Sequence, residues 1–315
     1  MLASEKGNQS DIVEFILLGL GDSVQLQFLL FLLFLLIYLV TITGNLLIIA
    51  LVLANPCLHT PMYFFLGNLS CLETCYTSSI LPKMLSNLLT GKATITVSQC
   101  LAQYYFFGSF ATIETYLLAA MTAISYDRYL AICRPFLYSL IMSRKLCVYL
   151  MAGSCMVFNA VLVAFVAQLS FCGPNVIDHY FCDLHPLTKM SCSDTTLFEL
   201  FAFCMTIIFT IPPFLLTLIS YICIIVSIIK INSTIGRQKA FSTCSSHLLV
   251  VCLFYGTSAI VYTLPDTSSL KRLNKIISVF YTVVTPLLNP LIYSLRNKDI
   301  HKAIGRLFNK VLFLA

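Results

Sequence analysis

Apolar residues run through this chain in long blocks, and charged residues fall almost only between the blocks. No Asp, Glu, Lys or Arg stands between Asp22 and Glu73, Lys92 and Glu114, Lys145 and Asp178, Glu199 and Lys230, Lys239 and Asp266, or Lys275 and Arg296. A helix that crosses a bilayer needs about 20 consecutive apolar residues at roughly 1.5 Å of rise each. The first block is too long for one crossing. It is interrupted at 54–61 by ANPCLHTP, whose Asn, His and two prolines mark a turn. The pattern predicts seven spans, at about 25–52, 60–84, 98–130, 144–168, 198–230, 239–264 and 273–295, with 1–24 and 296–315 as tails. The second span is the weakest, because Glu73 and Pro82 lie inside it. The period-two alternation of a membrane β-barrel is missing. The expected fold is therefore an all-α membrane protein, one seven-helix bundle over residues 1–315.

Composition strengthens this picture. The 315 residues are 59% hydrophobic and 10% charged, whereas soluble domains carry roughly 25% charged residues. Charge placement adds an orientation. With the amino terminus outside, twelve of the 19 basic residues fall on inner segments: Arg128, Arg134, Arg144, Lys145, Lys230, Arg237, Lys239, Arg296, Lys298, Lys302, Arg306 and Lys310. That bias puts the amino terminus outside and the carboxyl terminus in the cytoplasm. The net charge of +6 then reads as topology and attraction to the lipid surface, not as nucleic-acid binding. Asn8-Gln9-Ser10 is a glycosylation sequon on the outer tail. The tail is polar, so the first span itself is expected to direct insertion.

Fourteen cysteines divide by location. Most lie inside spans and read as small packing residues. Cys172, Cys182 and Cys192 share one outer loop, 169–197, and Cys100 opens the third span on the same side. An oxidising compartment favours disulfides there, and four cysteines allow three pairings. The favoured pairing is Cys100–Cys182, tying the loop to the bundle, with Cys172–Cys192 closing the loop on itself. His179, Cys182, Asp183 and His185 also invite a metal reading. A disulfide at Cys182 would remove its thiolate, so a structural role is preferred and no metal is assigned.

Charges within a membrane usually face the bundle interior. Glu73 and Glu114 lie near mid-depth on spans two and three, where two carboxylates could share a proton or hold a small cation such as sodium. No other cofactor is expected. Asn289-Pro290 is predicted to break span seven, with a buried Asn bridging the freed carbonyl, and Pro212-Pro213 to loosen span five. An intramembrane enzyme would need a nucleophile–base or metal motif, and none is seen. A transporter would normally carry an internal repeat, and none is found.

Several stretches carry a resemblance: GN at 44–45, LHTPMYFFLGNLS at 58–70, SYDRYLAIC at 125–133, HYFCD at 179–183, SY at 220–221, KAFSTCSSH at 239–247, FYGT at 254–257 and PLLNPLIYSLRN at 286–297. In this order they resemble the rhodopsin-like G-protein-coupled receptors, and within them the tetrapod-type vertebrate odorant receptors. The resemblance implies a plasma-membrane receptor that binds small, mostly neutral volatile molecules and raises cAMP through a stimulatory, olfactory-type G protein. It implies a switch of Asp127, Arg128, Tyr129, Tyr221, Lys239, Asn289, Pro290 and Tyr293. It implies a pocket of Phe107, Gly108, Ala111, Thr112, Met205, Thr206, Phe209, Tyr255, Ser258, Tyr262, Val279 and Thr282. It also implies a short amphipathic helix within 297–310, with Ile300, Ile304, Leu307 and Phe308 on its apolar side. The alternatives are a chemosensor for a non-odorant metabolite and, less favoured, a transporter.

One stretch departs from the family. LLAAM is followed by Thr122-Ala123-Ile124 before SYDRY, and Arg128 stands 28 positions after Cys100, roughly three more than the family spacing. Three extra residues lengthen a helix by about 4.5 Å and turn it by about 300°. The expectation is an irregular stretch near Met121–Ser125 or a third helix that projects further, either of which could weaken coupling.

Overall fold

A computed structural model of the chain describes residues 13–21, 23–59, 61–133, 161, 165, 169–171, 175–229, 251–261, 268–296 and 300–306. Helix α1 (Val24–Ala54) starts where the Ser23 hydroxyl accepts the Leu26 N–H, satisfying one orphan donor of the first turn. It ends at Asn55, whose backbone and side-chain nitrogens both donate to the Leu51 carbonyl ahead of Pro56. A single 3-10 turn, Pro56–Leu58, leads to α2 (Pro61–Thr90). Helix α2 runs beyond the expected boundary at 84, with Pro82 inside it, and stops at Gly91. Gly91 has φ +66°, a conformation that costs glycine little and terminates the helix.

Helix α3 (Val97–Cys133) has 37 residues, about 55 Å of helix. It is α-helical without interruption through Met121–Ser125. The irregular stretch expected there is not seen; the added residues extend the helix. After a short loop helix α4 (Leu184–Met190) comes α5 (Thr196–Ile229), helical through Pro212-Pro213. Helix α6 covers Val251–Val261. The expected fourth span and the start of the sixth lie outside the described residues, apart from helical positions 161 and 165.

The last long helix holds a second correction. It comprises α7 (Ser268–Val279), a π turn (Phe280–Val284) and α8 (Thr285–Arg296). Pro290 does not break α8. The irregularity lies above it, where Pro286 cannot donate to the Thr282 carbonyl and its ring crowds that turn. The wider π turn relieves the crowding, and both the N–H and the hydroxyl of Thr285 reach back to Phe280 O. Pro290 in turn frees the Pro286 carbonyl. The residue that reaches it is Asn45 of α1, whose Nδ2 makes a long contact of 3.5 Å, and not Asn289. Beside it, a Cβ added to Gly44 would lie 3.1 Å from Pro290 Cβ. Gly44→Leu should therefore push α1 away from α8, costing about 1–3 kcal/mol through overpacking; a lowered thermal midpoint of the purified protein checks this.

The main core joins α1, α2, α3, α6 and the α7–α8 segment through residues such as Leu51, Leu69, Leu81, Leu117, Phe254 and Tyr281. Helix 300–306 (α9) docks Ile300, Ala303 and Ile304 on this core and turns His301, Lys302 and Arg306 outward, as expected of this part of the amphipathic helix; Leu307 and Phe308 lie outside the described residues. Leu29, Leu36 and Leu53 on α1 and Leu200, Ile219 and Ile222 on α5 are more than half exposed. Such faces suit a hydrocarbon solvent.

One end of the bundle carries a sheet that the apolar pattern did not announce. Strand β1 (Glu14–Leu17), from the tail, lies between β2 (Thr94–Thr96), antiparallel to it, and β3 (Val176–Ile177), parallel to it. Phe15 and Leu17 are buried beneath it with Ile95, Tyr104, Ile177 and Leu187. Thus part of the expected free tail is the central strand of the lid.

Candidate functional site

The lid is fastened to three helices. Cys100 at the start of α3 is disulfide-bonded to Cys182 of the loop, as expected. The Cys182 N–H donates to Gln103 Oε1 at 3.0 Å, and Gln103 Nε2 donates to the Ser79 carbonyl of α2 at 2.9 Å. One side chain thereby ties loop, α3 and α2. The Tyr180 and Thr282 hydroxyls are 2.9 Å apart, and Thr282 donates onward to Ser278 O. Lys275 pairs with Asp178 and donates to the Leu18 carbonyl at 3.2 Å. Cys192 is also disulfide-bonded; Cys172, its expected partner, lies outside the described residues, as does Asn8.

His179 lies buried in this loop, its ring 4.7 Å from that of Tyr180 and 4.6 Å from that of Phe181. Burial, and then the Lys275 ammonium, hold its pKa down to about 3, so the imidazole is uncharged at neutral pH. Cys182, being oxidised, has no thiolate to offer a metal.

Beneath the lid, Phe107 is 1% exposed and its ring packs against Phe181, Tyr76 and Tyr281 at centroid distances of 4.9, 5.3 and 6.2 Å. Phe107 and Thr282 were expected to line an open pocket. Here Phe107 fills an aromatic cluster and Thr282 spends its hydroxyl on the lid. Gly108, Ala111 and Thr112 on α3, Ser258 on α6 and Val279 on α7 are half-buried. Below them Tyr255 of α6 is buried against Phe214 of α5, and its hydroxyl donates to the Thr115 carbonyl of α3 at 2.9 Å. Met205, Thr206 and Phe209 fall on α5, but their side chains, and all of Tyr262, lie outside the described residues.

Deeper in the bundle is a polar centre. Glu73 of α2 and Glu114 of α3 are both 0% exposed. Asn289 Nδ2 of α8 donates to Glu73 Oε1, and the Thr77 hydroxyl donates to the Glu73 carbonyl. Glu73 Oε2, both Glu114 oxygens, Asn45 Oδ1 and Asn289 Oδ1 have no hydrogen-bond partner among the described residues. Buried acceptors without donors are costly, which suits a proton or cation held among them. Asn45 was not foreseen as a member. It was quoted with Gly44 in the GN motif at 44–45 but given no role, and only the folded structure shows which carbonyl it meets.

On the cytoplasmic side of the expected topology, Asp127, Arg128 and Tyr129 lie on the last turns of α3 and Tyr293 on α8, with side chains outside the described residues; Lys239 and His185's side chain are outside them too. Tyr221 is buried on α5.

Known proteins share this chain's pattern from end to end. A family model described as olfactory receptor matches residues 34–311. Human olfactory receptor 5G3 is 45% identical over 98% of this chain and 99% of its own. Rat olfactory receptor 1f45 is 48% identical over 95% of this chain and 96% of its own. Mouse olfactory receptor 5AP2 is 46% identical over 98% and 99%. Likeness of this depth covers the pinned lid, the polar centre and every long helix together, so the chain belongs to the olfactory receptor family and has that family's seven-transmembrane helix bundle.

Proposed function

We propose that this protein is an odorant receptor of the plasma membrane, with its amino terminus outside and its carboxyl terminus in the cytoplasm. It binds small, mostly neutral volatile molecules inside the bundle and raises cAMP through a stimulatory, olfactory-type G protein. It is a receptor and not an enzyme. Membership of the family over residues 34–311 carries this reading. The Tyr255–Thr115 contact supports the location of the pocket. A ligand among Gly108, Ala111, Thr112 and Ser258 would press on the hydroxyl that links α6 to α3. Because their side chains bring few polar groups, such a ligand would be held mostly by apolar contact and with modest affinity. A sodium ion or a shared proton between Glu73 and Glu114 fits the orphan acceptors of the polar centre.

An odorant panel applied to cells expressing the receptor, read as cAMP, tests the reading. A dose-dependent rise for a volatile ligand is expected. Uptake of the compound without G-protein activation would replace the receptor by a transporter.

The Thr122-Ala123-Ile124 insertion favours one refinement, a receptor that couples poorly. Since α3 stays helical across it, the cost is one of position: about 4.5 Å of extra helix and a net turn error near 60° between the ligand end and Arg128. Deleting the three residues should raise agonist-stimulated cAMP at equal surface level. An unchanged response would show that the bundle absorbs them.

A further inference from the structure

A cavity lies outside the expected odorant pocket, at the sheet end of the bundle. It sits between the tail segment after β1, the start of α1 and the end of α2, and has a volume of about 50 Å³. That is room for about four water-sized groups. Glycines leave its wall open: a Cβ added to Gly19 or Gly91 would meet nothing within 4 Å. Leu20, Met84 and Leu88 give it an apolar floor. Three polar side chains also line it, Gln27, Tyr180 and Asn87. Gln27 Nε2 is spent on the Gly21 carbonyl, and the Tyr180 hydroxyl on Thr282. Asn87 is the exception, for its Oδ1 has no hydrogen-bond partner among the described residues.

We propose that this cavity is a second small-molecule site, taking short aliphatic alcohols. The hydrocarbon part lies on Leu20, Met84 and Leu88, and the hydroxyl meets the Asn87 amide. A hydroxyl suits that amide from either end, since it can donate to the oxygen or accept from the nitrogen. A charged ligand is disfavoured, because no ionised side chain among the described residues lines the cavity to compensate it. The volume limits the buried part to about three carbons with the hydroxyl. The occupant would touch Tyr180, which fastens the lid to the π turn at Thr282, so filling this site bears on the same loop that covers the odorant pocket. The inference does not depend on which odorant the receptor detects, or on whether it couples well.

Photolabelling of the full-length receptor in lipid nanodiscs with a diazirine-bearing butanol tests it, with labelled positions read by mass spectrometry. Labels are expected within 84–91, within 17–21 or on Tyr180, and excess 1-butanol should displace them. Asn87→Leu keeps the floor apolar and removes the amide; it should weaken displacement by about fivefold, the size expected for one neutral hydrogen bond. Gly19→Leu should fill the space and abolish these labels while leaving labels elsewhere unchanged. If Gly19→Leu fails to fold, the Asn87→Leu displacement curve decides alone. Labels at these positions that ignore 1-butanol, or that persist unchanged in the variants, overturn the proposal, as does labelling confined to other helices.

Discussion

Replacing Cys100 with serine is expected to lower the receptor at the cell surface by about tenfold or more, because a disulfide of this kind contributes about 2–5 kcal/mol against a total stability of about 5–15 kcal/mol. The bond closes a separation of 82 residues between α3 and the lid. Its position matters as much as its loop length. Cys100 and Cys182 are both buried in the small core under the sheet, with Phe15, Ile95 and Leu187. Two neighbouring fastenings depend on it: Gln103 must sit within reach of the Cys182 N–H, and Tyr180 must stay at Thr282. Cys182→Ser should match Cys100→Ser, and the double substitution should be no worse than either, since one bond is lost in all three. Cys57→Ser, at an exposed free cysteine between α1 and α2, should leave the surface level unchanged. Gln103→Leu should fall between, since it removes one bond to the lid and one to α2. Flow cytometry against an epitope tag on the amino terminus measures all of these. A Cys100→Ser receptor at the wild-type level would mean that the sheet and the polar fastenings hold the lid without the disulfide.

Much of this could be read in the sequence, and the reasons are specific. Membrane helices announce themselves because a lipid solvent excludes charge over the full length of each crossing. That is why the charge-free stretches from 23 to 72 and from 93 to 113 point to α1, α2 and the start of α3, while the end of α1 was legible from the turn residues of ANPCLHTP. The Cys100–Cys182 bond was readable from a cysteine at the head of a span and another in the facing loop. Strand β1 was not. Its Glu14–Leu17 pairs with segments some 80 and 160 positions away, and a strand of four residues has no period to show. The π turn had a visible cause in Pro286, but Pro290 is the more conspicuous residue and drew the expectation one turn too low. The pocket positions show another limit. Phe107 and Thr282 were assigned to the ligand pocket through the family resemblance; only the folded structure shows that they also touch Tyr76, Phe181 and Tyr180. Long-range partners of this sort are set by packing, which hydropathy does not carry.

The largest effect inside the bundle should come from Asn289→Leu. Asn289 is 1% exposed, and it supplies the donor that Glu73 Oε1 accepts. Leucine is close in volume, so the change removes the amide without opening a void. Glu73 then keeps only the Asn45 amide as a side-chain partner, and its Oε2 already lacks a donor among the described residues. Orphaning a buried acceptor costs about 1–3 kcal/mol and more when the group is charged. A loss of that order should lower the thermal midpoint and cut the folded population at the surface by about tenfold. Merely repacking α8 against α2 would predict the same direction, so the decisive comparison is the pair. Adding Glu73→Gln to Asn289→Leu replaces the orphaned acid by an amide that brings its own donor and should restore part of the loss, whereas repacking damage would persist. Asn45→Ala provides a second comparison: Asn45 reaches the Pro286 carbonyl freed by Pro290 as well as Glu73, so Asn45→Ala should weaken the α1–α8 join and be rescued by Glu73→Gln less fully than Asn289→Leu is. If Asn289→Leu is as stable as the wild type, or if Glu73→Gln makes it worse, then Glu73 is compensated by a group other than Asn289, such as Asn45.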